Sequence, residues 1–136
     1  IILTKRIDKI LKKRLKNKNI TFLGVTFKPN TDDMREASSI PMINYLNKKG
    51  SKIRYYDPSG RKKEFDKLKN VKFYSSISSA CIKSDLIIIH TEWNAFKLLD
   101  FKRLVKKKNF KVFDMRNIYS QDKMRDLRID YTSIGR

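Results

Sequence analysis

Cysteine occurs once in the 136 residues, at Cys81, and histidine once, at His90. A single cysteine excludes an internal disulfide and suits a reducing compartment. One cysteine with one histidine also argues against a protein-built zinc site. No Ser/His/Asp set can be drawn without the lone His90, and nothing around it supports that role. Glycine is scarce: of four in all, only Gly24 lies between residues 20 and 49. A G-x-G-x-x-G dinucleotide loop is therefore absent. Long apolar runs are absent too, since the longest, Leu86 to Ile89, is far too short to span a bilayer. No secretory leader with a small-residue cleavage site is legible behind Ile1-Ile2-Leu3 and Lys5-Arg6. The expected setting is the cytoplasm. The first residue is not Met, from which we expect a piece of a longer polypeptide.

Acidic residues are outnumbered, 14 against 33 Lys and Arg, for a net charge of +19. Such a charge fits a nucleic-acid or anionic-membrane partner, or else solvated faces of a lysine-rich protein. The lysines are spread along the chain (Lys12-Lys13, Lys48-Lys49, Lys62-Lys63, Lys106 to Lys108) rather than gathered in one stripe. That favours solvated faces and argues against a nucleic-acid or membrane partner. A small polyanionic ligand would gain from the field in either case.

What is present is the composition of one globular domain, 40% apolar and 35% charged. Residues 1 to 17 carry Ile1, Leu3, Ile7, Ile10, Leu11 and Leu15 at helical spacing, as at the end of a helix whose apolar stripe packs on protein beyond this chain. A strand is predicted over about 20–27. Ser38-Ser39 with Pro41 reads as a hydroxyl cap opening a helix that Gly50 ends. Strands follow in "SKIRYYDP", "VKFYSS", "DLIIIHTEW", "FKVFDMRN" and "IDYTSIG". Helices or loops alternate with them in "RKKEFDKLKN", "SISSACIKS", "DFKRLVKKK" and "SQDKMRDL". This alternation predicts an α/β fold, Rossmann-like and doubly wound: a mainly parallel sheet of about six strands with helices on both faces.

In such a sheet ligands bind beyond the carboxyl ends of the strands, where strand order reverses. Lys28, Glu92 and Arg116 follow three different strands and should share that edge. A lysine point charge and an arginine fork suit a diphosphate. With no glycine loop to offer backbone N–H groups, Lys28 would stand in for it. The alternative is a lysine merely solvated at a strand end. Asp32, Asp33 and Arg35 make either a loop tied by an Asp–Arg pair or an arginine aimed at a ligand or partner domain. Glu92 and Trp93 could orient a ligand or pack the rim. Asp57 resembles the ribose-binding acid of dinucleotide sites, but without the glycines a turn at Asp-Pro is the better reading. Cys81, among apolar neighbours, reads as a core thiol rather than a nucleophile. Lys62 reads as a solvated lysine remote from the site.

"GVTFKPNTDDMREASS", "YDP", "HTEWNAF", "FDMRNIYS" and "DYTSIGR" occur in the order and spacing of the C-terminal, UDP-binding domain of the UDP-glucose/GDP-mannose dehydrogenase family, which residues 20–136 resemble. Residues 1–19 resemble the end of the helical segment joining that domain to an upstream one. The resemblance implies an NAD-dependent oxidoreductase that converts the C6 alcohol of a nucleotide sugar to a carboxylate in two hydride transfers. Its NAD-binding domain and catalytic cysteine would lie upstream, so this chain holds no catalytic residue and should oxidise nothing alone. By resemblance Phe27 and Lys28 meet the UDP-sugar, Lys28 on the phosphates, and Arg116 meets the same substrate. Arg35 would reach the NAD pyrophosphate across a domain boundary. "TEWNAF" and "DMRN" favour the UDP-glucose branch, yielding UDP-glucuronate, over GDP-mannose or UDP-N-acetylhexosamine. The expected partners are UDP-glucose, NAD, the upstream dehydrogenase domain and further copies of the chain in a homodimer or larger oligomer. Thr26 departs mildly from the family's usual Gly-Leu-Ala. The alternative of another class is a stand-alone basic module binding nucleic acid.

Overall fold

The computed structural model describes residues 2–136. In chain order its elements are α1 (Ile2–Ile10), β1 (Asn19–Leu23), α2 (Ser39–Lys48), β2 (Lys52–Tyr56), β3 (Val71–Phe73), α3 (Ile77–Cys81), β4 (Leu86–Ile89), α4 (Phe101–Val105), β5 (Lys111–Asp114), α5 (Gln121–Asp126) and β6 (Asp130–Ser133). Lys63–Phe65 and Asn94–Phe96 form short 3-10 turns. The six strands make one sheet in the order β3-β2-β1-β4-β5-β6, every neighbouring pair parallel. The chain winds outward from β1 to β3, then returns to place β4 beside β1. The switch point therefore lies between β1 and β4, the place where open parallel sheets bind ligands.

Period-two alternation assigns the two faces. Ile20, Phe22, Ile53, Tyr55, Leu86, Ile88 and Phe113 face a core shared with α1 and α2. Leu23, Ile87, Ile89 and Val112 face a second core closed by Cys81 of α3, Phe101 and Val105 of α4, and Met124 of α5. All four residues of β4 are buried, as a central strand covered on both sides requires. The doubly wound parallel sheet expected from the alternation is thus present, with six strands.

Several local expectations are corrected. The first helix ends at Ile10, and Lys12, Lys13 and Asn17 turn the chain with positive φ; Ile1 lies outside the described residues. Much of its stripe packs within this domain rather than being left for protein beyond the chain: Ile7, Leu11 and Leu15 are buried in the core, with Leu3 and Ile10 partly buried against it. Tyr45 donates to the Asp8 carboxylate (2.8 Å) and Arg6 to the Ser133 carbonyl (3.1 Å), fixing α1 against α2 and the end of β6. The first strand stops at Leu23 because Gly24 turns the chain at φ +81°. Ser38 and Ser39 do not cap α2; their hydroxyls are used elsewhere, as described below. Asp100 and Ser120 do cap α4 and α5, accepting from the Arg103 and Lys123 N–H groups. Lys62 is only 5% exposed: its Nζ donates to Ser59 Oγ (2.6 Å) and its N–H to the Tyr55 hydroxyl (2.8 Å). Among the described residues no helix is long and apolar enough to cross a membrane.

Candidate functional site

Residues 24–28 leave β1 at the switch point, where a dinucleotide fold would place its phosphate loop. Here the amides of residues 24 to 27 are already taken. Val25 and Thr26 donate their N–H groups to Asp57 Oδ2 (2.8 and 3.3 Å), while Asp57 Oδ1 accepts from the Ser59 N–H and hydroxyl (2.9 and 2.6 Å). A buried carboxylate thus sits on the N–H groups that a pyrophosphate would need. Gly24 is no phosphate glycine either. A Cβ there would lie 2.6 Å from the Cβ of Thr91, so its missing side chain makes room for β4's exit. The loop does not fit a dinucleotide cradle. Asp57 does form the expected turn, and beyond it ties the loop.

The same segment is held from α2, from the end of β4 and from within its own loop. Ser39 Oγ donates to the Val25 carbonyl (2.5 Å) and Thr91 Oγ1 to the Thr26 carbonyl (2.8 Å). Phe27 N–H reaches the Asp33 carbonyl (3.2 Å), and Thr26 Oγ1 the Lys28 carbonyl (3.0 Å). The loop is therefore rigid where it is buried, up to Thr26, and open beyond it. Phe27 is 46% exposed and Lys28 is exposed. Among the described residues Lys28 has no ion-pair partner.

Arg116 is brought to this loop from β5. Asp114, buried at the strand end, accepts from the Arg116 N–H (3.1 Å) and, on its other oxygen, from the Tyr119 N–H (3.1 Å) and the Tyr131 hydroxyl (2.7 Å). Burial and that carboxylate hold the Tyr131 hydroxyl well above its usual range. The turn so formed aims the guanidinium across β4. Its Nε donates to the His90 carbonyl (2.8 Å) and its Nη2 to the Phe27 carbonyl (3.3 Å). Glu92 Oε1 lies 3.9 Å from Nε, a loose ion pair. Phe27, Lys28, Glu92 and Arg116 therefore converge on one carboxyl edge, as the strand reading expects. Lys28 is exposed there, and Arg116 and Glu92 are partly exposed.

Arg35 is tied to its own loop. Its Nε and Nη2 grip the Asp33 carboxylate (3.0 and 2.9 Å), and its N–H adds a third bond to Oδ1 (2.9 Å). These bonds hold the Asp33 carboxyl down at about 2. The guanidinium itself stays 89% exposed. The expected Asp–Arg tie is present, and it presents Arg35 outward.

His90 has no role legible in the sequence, yet it lies fully buried beneath this edge. Burial, with the Arg116 charge, pushes its imidazole down to about 3, so it is neutral at neutral pH. Its Nε2 meets Ser38 Oγ (2.9 Å) and its Nδ1 meets Thr91 Oγ1 (3.0 Å). Trp93 packs against the second core with its indole N–H buried and unpartnered. Cys81 is buried, and desolvation lifts its thiol to about 12. It carries no thiolate chemistry.

A family profile described as "UDP-glucose/GDP-mannose dehydrogenase family, UDP binding domain" matches residues 21–121. The chain belongs to the UDP-glucose/GDP-mannose dehydrogenase family. Among curated members, a UDP-glucose 6-dehydrogenase of Rhizobium meliloti is 37% identical over 125 residues, covering 90% of this chain and 28% of that protein. One from Rickettsia bellii is 34% identical over 138 residues, covering 98% of this chain and 32% of that protein. The chain thus spans about a third or less of the length of these family members. Among solved structures, an NDP-N-acetyl-D-galactosaminuronic acid dehydrogenase from Methanosarcina mazei superposes with TM-score 0.81 at 23% identity, over 98% of this chain and 28% of that one. A UDP-glucose dehydrogenase from Pyrobaculum islandicum gives TM-score 0.72 at 24% identity, over 96% and 29%. At these identities the superpositions speak for the fold of the family domain.

Proposed function

We propose that this chain is the nucleotide-sugar binding part of a UDP-glucose 6-dehydrogenase. In that enzyme UDP-glucose is oxidised to UDP-glucuronate in two NAD-dependent steps. The observation that carries the reading is the bond from Arg116 to the Phe27 carbonyl, which brings that guanidinium to the exposed loop segment of Phe27 and Lys28 at the switch point. Lys28 supplies a point charge between the phosphates and Arg116 a fork held by two carbonyls. Phe27 offers an aromatic face to the uridine or sugar. The names of the curated relatives support UDP-glucose over GDP-mannose and UDP-N-acetylhexosamines.

NAD supplies the hydride acceptor when it is bound, and it would be held mainly outside this chain. The Val25 and Thr26 amides of the β1–α2 loop are held on Asp57 and so are not free for a pyrophosphate. Arg35, exposed and fixed at its base by Asp33, would reach the cofactor from across a domain boundary. Cys81 is buried and inert, so the catalytic cysteine would also belong to an upstream portion. On this reading residues 1–19 end a connecting helix and 20–136 form the UDP-binding domain. The whole enzyme would work in the cytoplasm as a homodimer or larger assembly.

The test is calorimetric titration of the 136-residue chain with UDP, UDP-glucose, GDP and a single-stranded oligonucleotide at two salt concentrations. Saturable one-to-one binding of UDP and UDP-glucose, weaker for GDP, is expected. Binding of the oligonucleotide alone, with a steep fall as salt rises, would instead support the basic-module alternative.

A further inference from the structure

The two cations of the proposed UDP site come from different strands, yet both lean on one dipeptide at the end of β4. The His90 carbonyl receives Arg116 Nε (2.8 Å), and the Thr91 hydroxyl holds the Thr26 carbonyl two residues before Lys28 (2.8 Å). The hydrogen bonds around Thr91 have a fixed direction. A carbonyl only accepts, so the single Thr91 proton goes to Thr26. Thr91 Oγ1 must then accept from His90 Nδ1–H (3.0 Å). A neutral imidazole protonated on Nδ1 leaves Nε2 as an acceptor, and Ser38 Oγ donates to it (2.9 Å). Ser38, His90, Thr91 and Thr26 thus form a one-way relay from the start of α2 to the loop that carries Lys28.

Steric complementarity sharpens the arrangement. Gly24 leaves space that Thr91 fills so closely that one methyl group there would collide with it. Ser38 and Ser39, freed from capping α2, bind His90 and the Val25 carbonyl instead. The capping pattern in the sequence has been diverted to the loop.

We propose that Thr91 and His90 are positioning residues that set the distance between Lys28 and Arg116, and thereby fit the rim to a diphosphate. The inference rests on the reading of this edge as a UDP site. Thr91 is 0% exposed and lies beneath the loop, so it acts through Thr26 and touches no ligand itself.

The test compares Thr91→Val, which keeps the shape and loses the hydroxyl, with Thr91→Ser, which keeps the hydroxyl. Three quantities are read on the 136-residue chain: UDP affinity by calorimetry, melting temperature, and amide hydrogen exchange of residues 25–28. Thr91→Val is expected to weaken UDP roughly tenfold, the upper end for one neutral hydrogen bond, and to speed exchange in 25–28 but not in β4 or β5. Thr91→Ser should bind within about twofold of the parent, a difference well below one hydrogen bond. A fall in melting temperature with unchanged UDP affinity and unchanged loop exchange would make the relay merely structural and overturn the proposal. Should the parent chain not bind UDP at all, faster loop exchange in Thr91→Val would still uphold the relay while the UDP reading fails. Unchanged exchange would then overturn both. If Thr91→Val does not fold, Ser38→Ala takes its place, with smaller effects of the same sign expected and no effect on loop exchange or affinity overturning the relay.

Discussion

Replacing Asp57 separates two readings of an acid at the end of β2. As a ribose-binding group it would matter to ligand and little to folding. The structure gives it four hydrogen bonds, two of them from the buried amides of Val25 and Thr26. Asp57→Ala strands those amides, at about 1–3 kcal/mol each. The Ser59 groups, half-exposed, can turn to water. The expected loss is therefore about 2–6 kcal/mol, a large share of the ~5–15 kcal/mol that holds a domain together. For a chain of this size, at roughly 3–5 °C per kcal/mol, the melting temperature should fall by about 6–30 °C. Asp57→Asn keeps the shape and one carbonyl oxygen, which can still accept from Val25 and Thr26; its NH2 then faces the Ser59 N–H. Its cost should be about 1–2 kcal/mol, one unsatisfied pair, with UDP affinity nearly unchanged. Thermal unfolding and calorimetry on both variants decide the matter. An Asp57→Ala chain as stable as the parent, or an Asp57→Asn chain that melts normally but no longer binds UDP, would refute the loop-tie role.

Three further outcomes follow from the same edge. Gly24→Ala meets both a left-handed backbone and the Thr91 side chain, and should lose at least about 2 kcal/mol in urea unfolding; a loss below about 1 kcal/mol would contradict the packing described. His90 is neutral in the fold and has its imidazole pushed down to about 3, so the unfolded chain takes up a proton first as pH falls below about 6.5. Stability should therefore decline from pH 6.5 toward 3, by up to about 1.4 kcal/mol per pH unit from this group. Urea unfolding at pH 7 and pH 5 should show that slope in the parent and not in His90→Asn; equal slopes would disprove it. Where the chain is joined to a dehydrogenase portion such as its relatives carry, Arg35→Ala should weaken NAD far more than UDP-glucose. Equal losses would leave Arg35 as a loop tie to Asp33 only.

The doubly wound order was legible because period-two and apolar runs are dictated by burial: Leu86–Ile89 reads as a strand covered on both faces. The shared edge of Lys28, Glu92 and Arg116 followed from strand ends alone. What stayed hidden depends on side chains meeting across sequence distance. Ser38 and Ser39 carry a capping pattern, but His90 and Val25, far away in the chain or across a loop, outcompete the helix amides. Lys62 sits in a lysine run with nothing local to mark its burial against Tyr55 and Ser59. Gly24 was visible as a lone glycine, but its cause, the approach of Thr91, was not. The stripe of the first helix was legible as apolar, but its burial in this domain's own core was not, since periodicity names a face and not its partner.

The most direct measurement is calorimetric titration of UDP-glucose into the parent chain and into Lys28→Ala, Arg116→Ala, the double variant and Lys69→Ala, at one fixed salt concentration. Each of the first two removes a charge-assisted bond to the diphosphate worth about 1.5–3 kcal/mol, so each should weaken binding roughly ten- to a hundredfold. The double variant should fall short of the sum, because both groups meet one ligand group. Lys69 is exposed in the loop before β3, at the opposite edge of the sheet, and contributes only a screened field, so its loss should change affinity little. A Lys28→Ala chain that binds as tightly as the parent, or a Lys69→Ala chain that loses as much, would reduce Lys28 to part of a general basic surface and remove the diphosphate site.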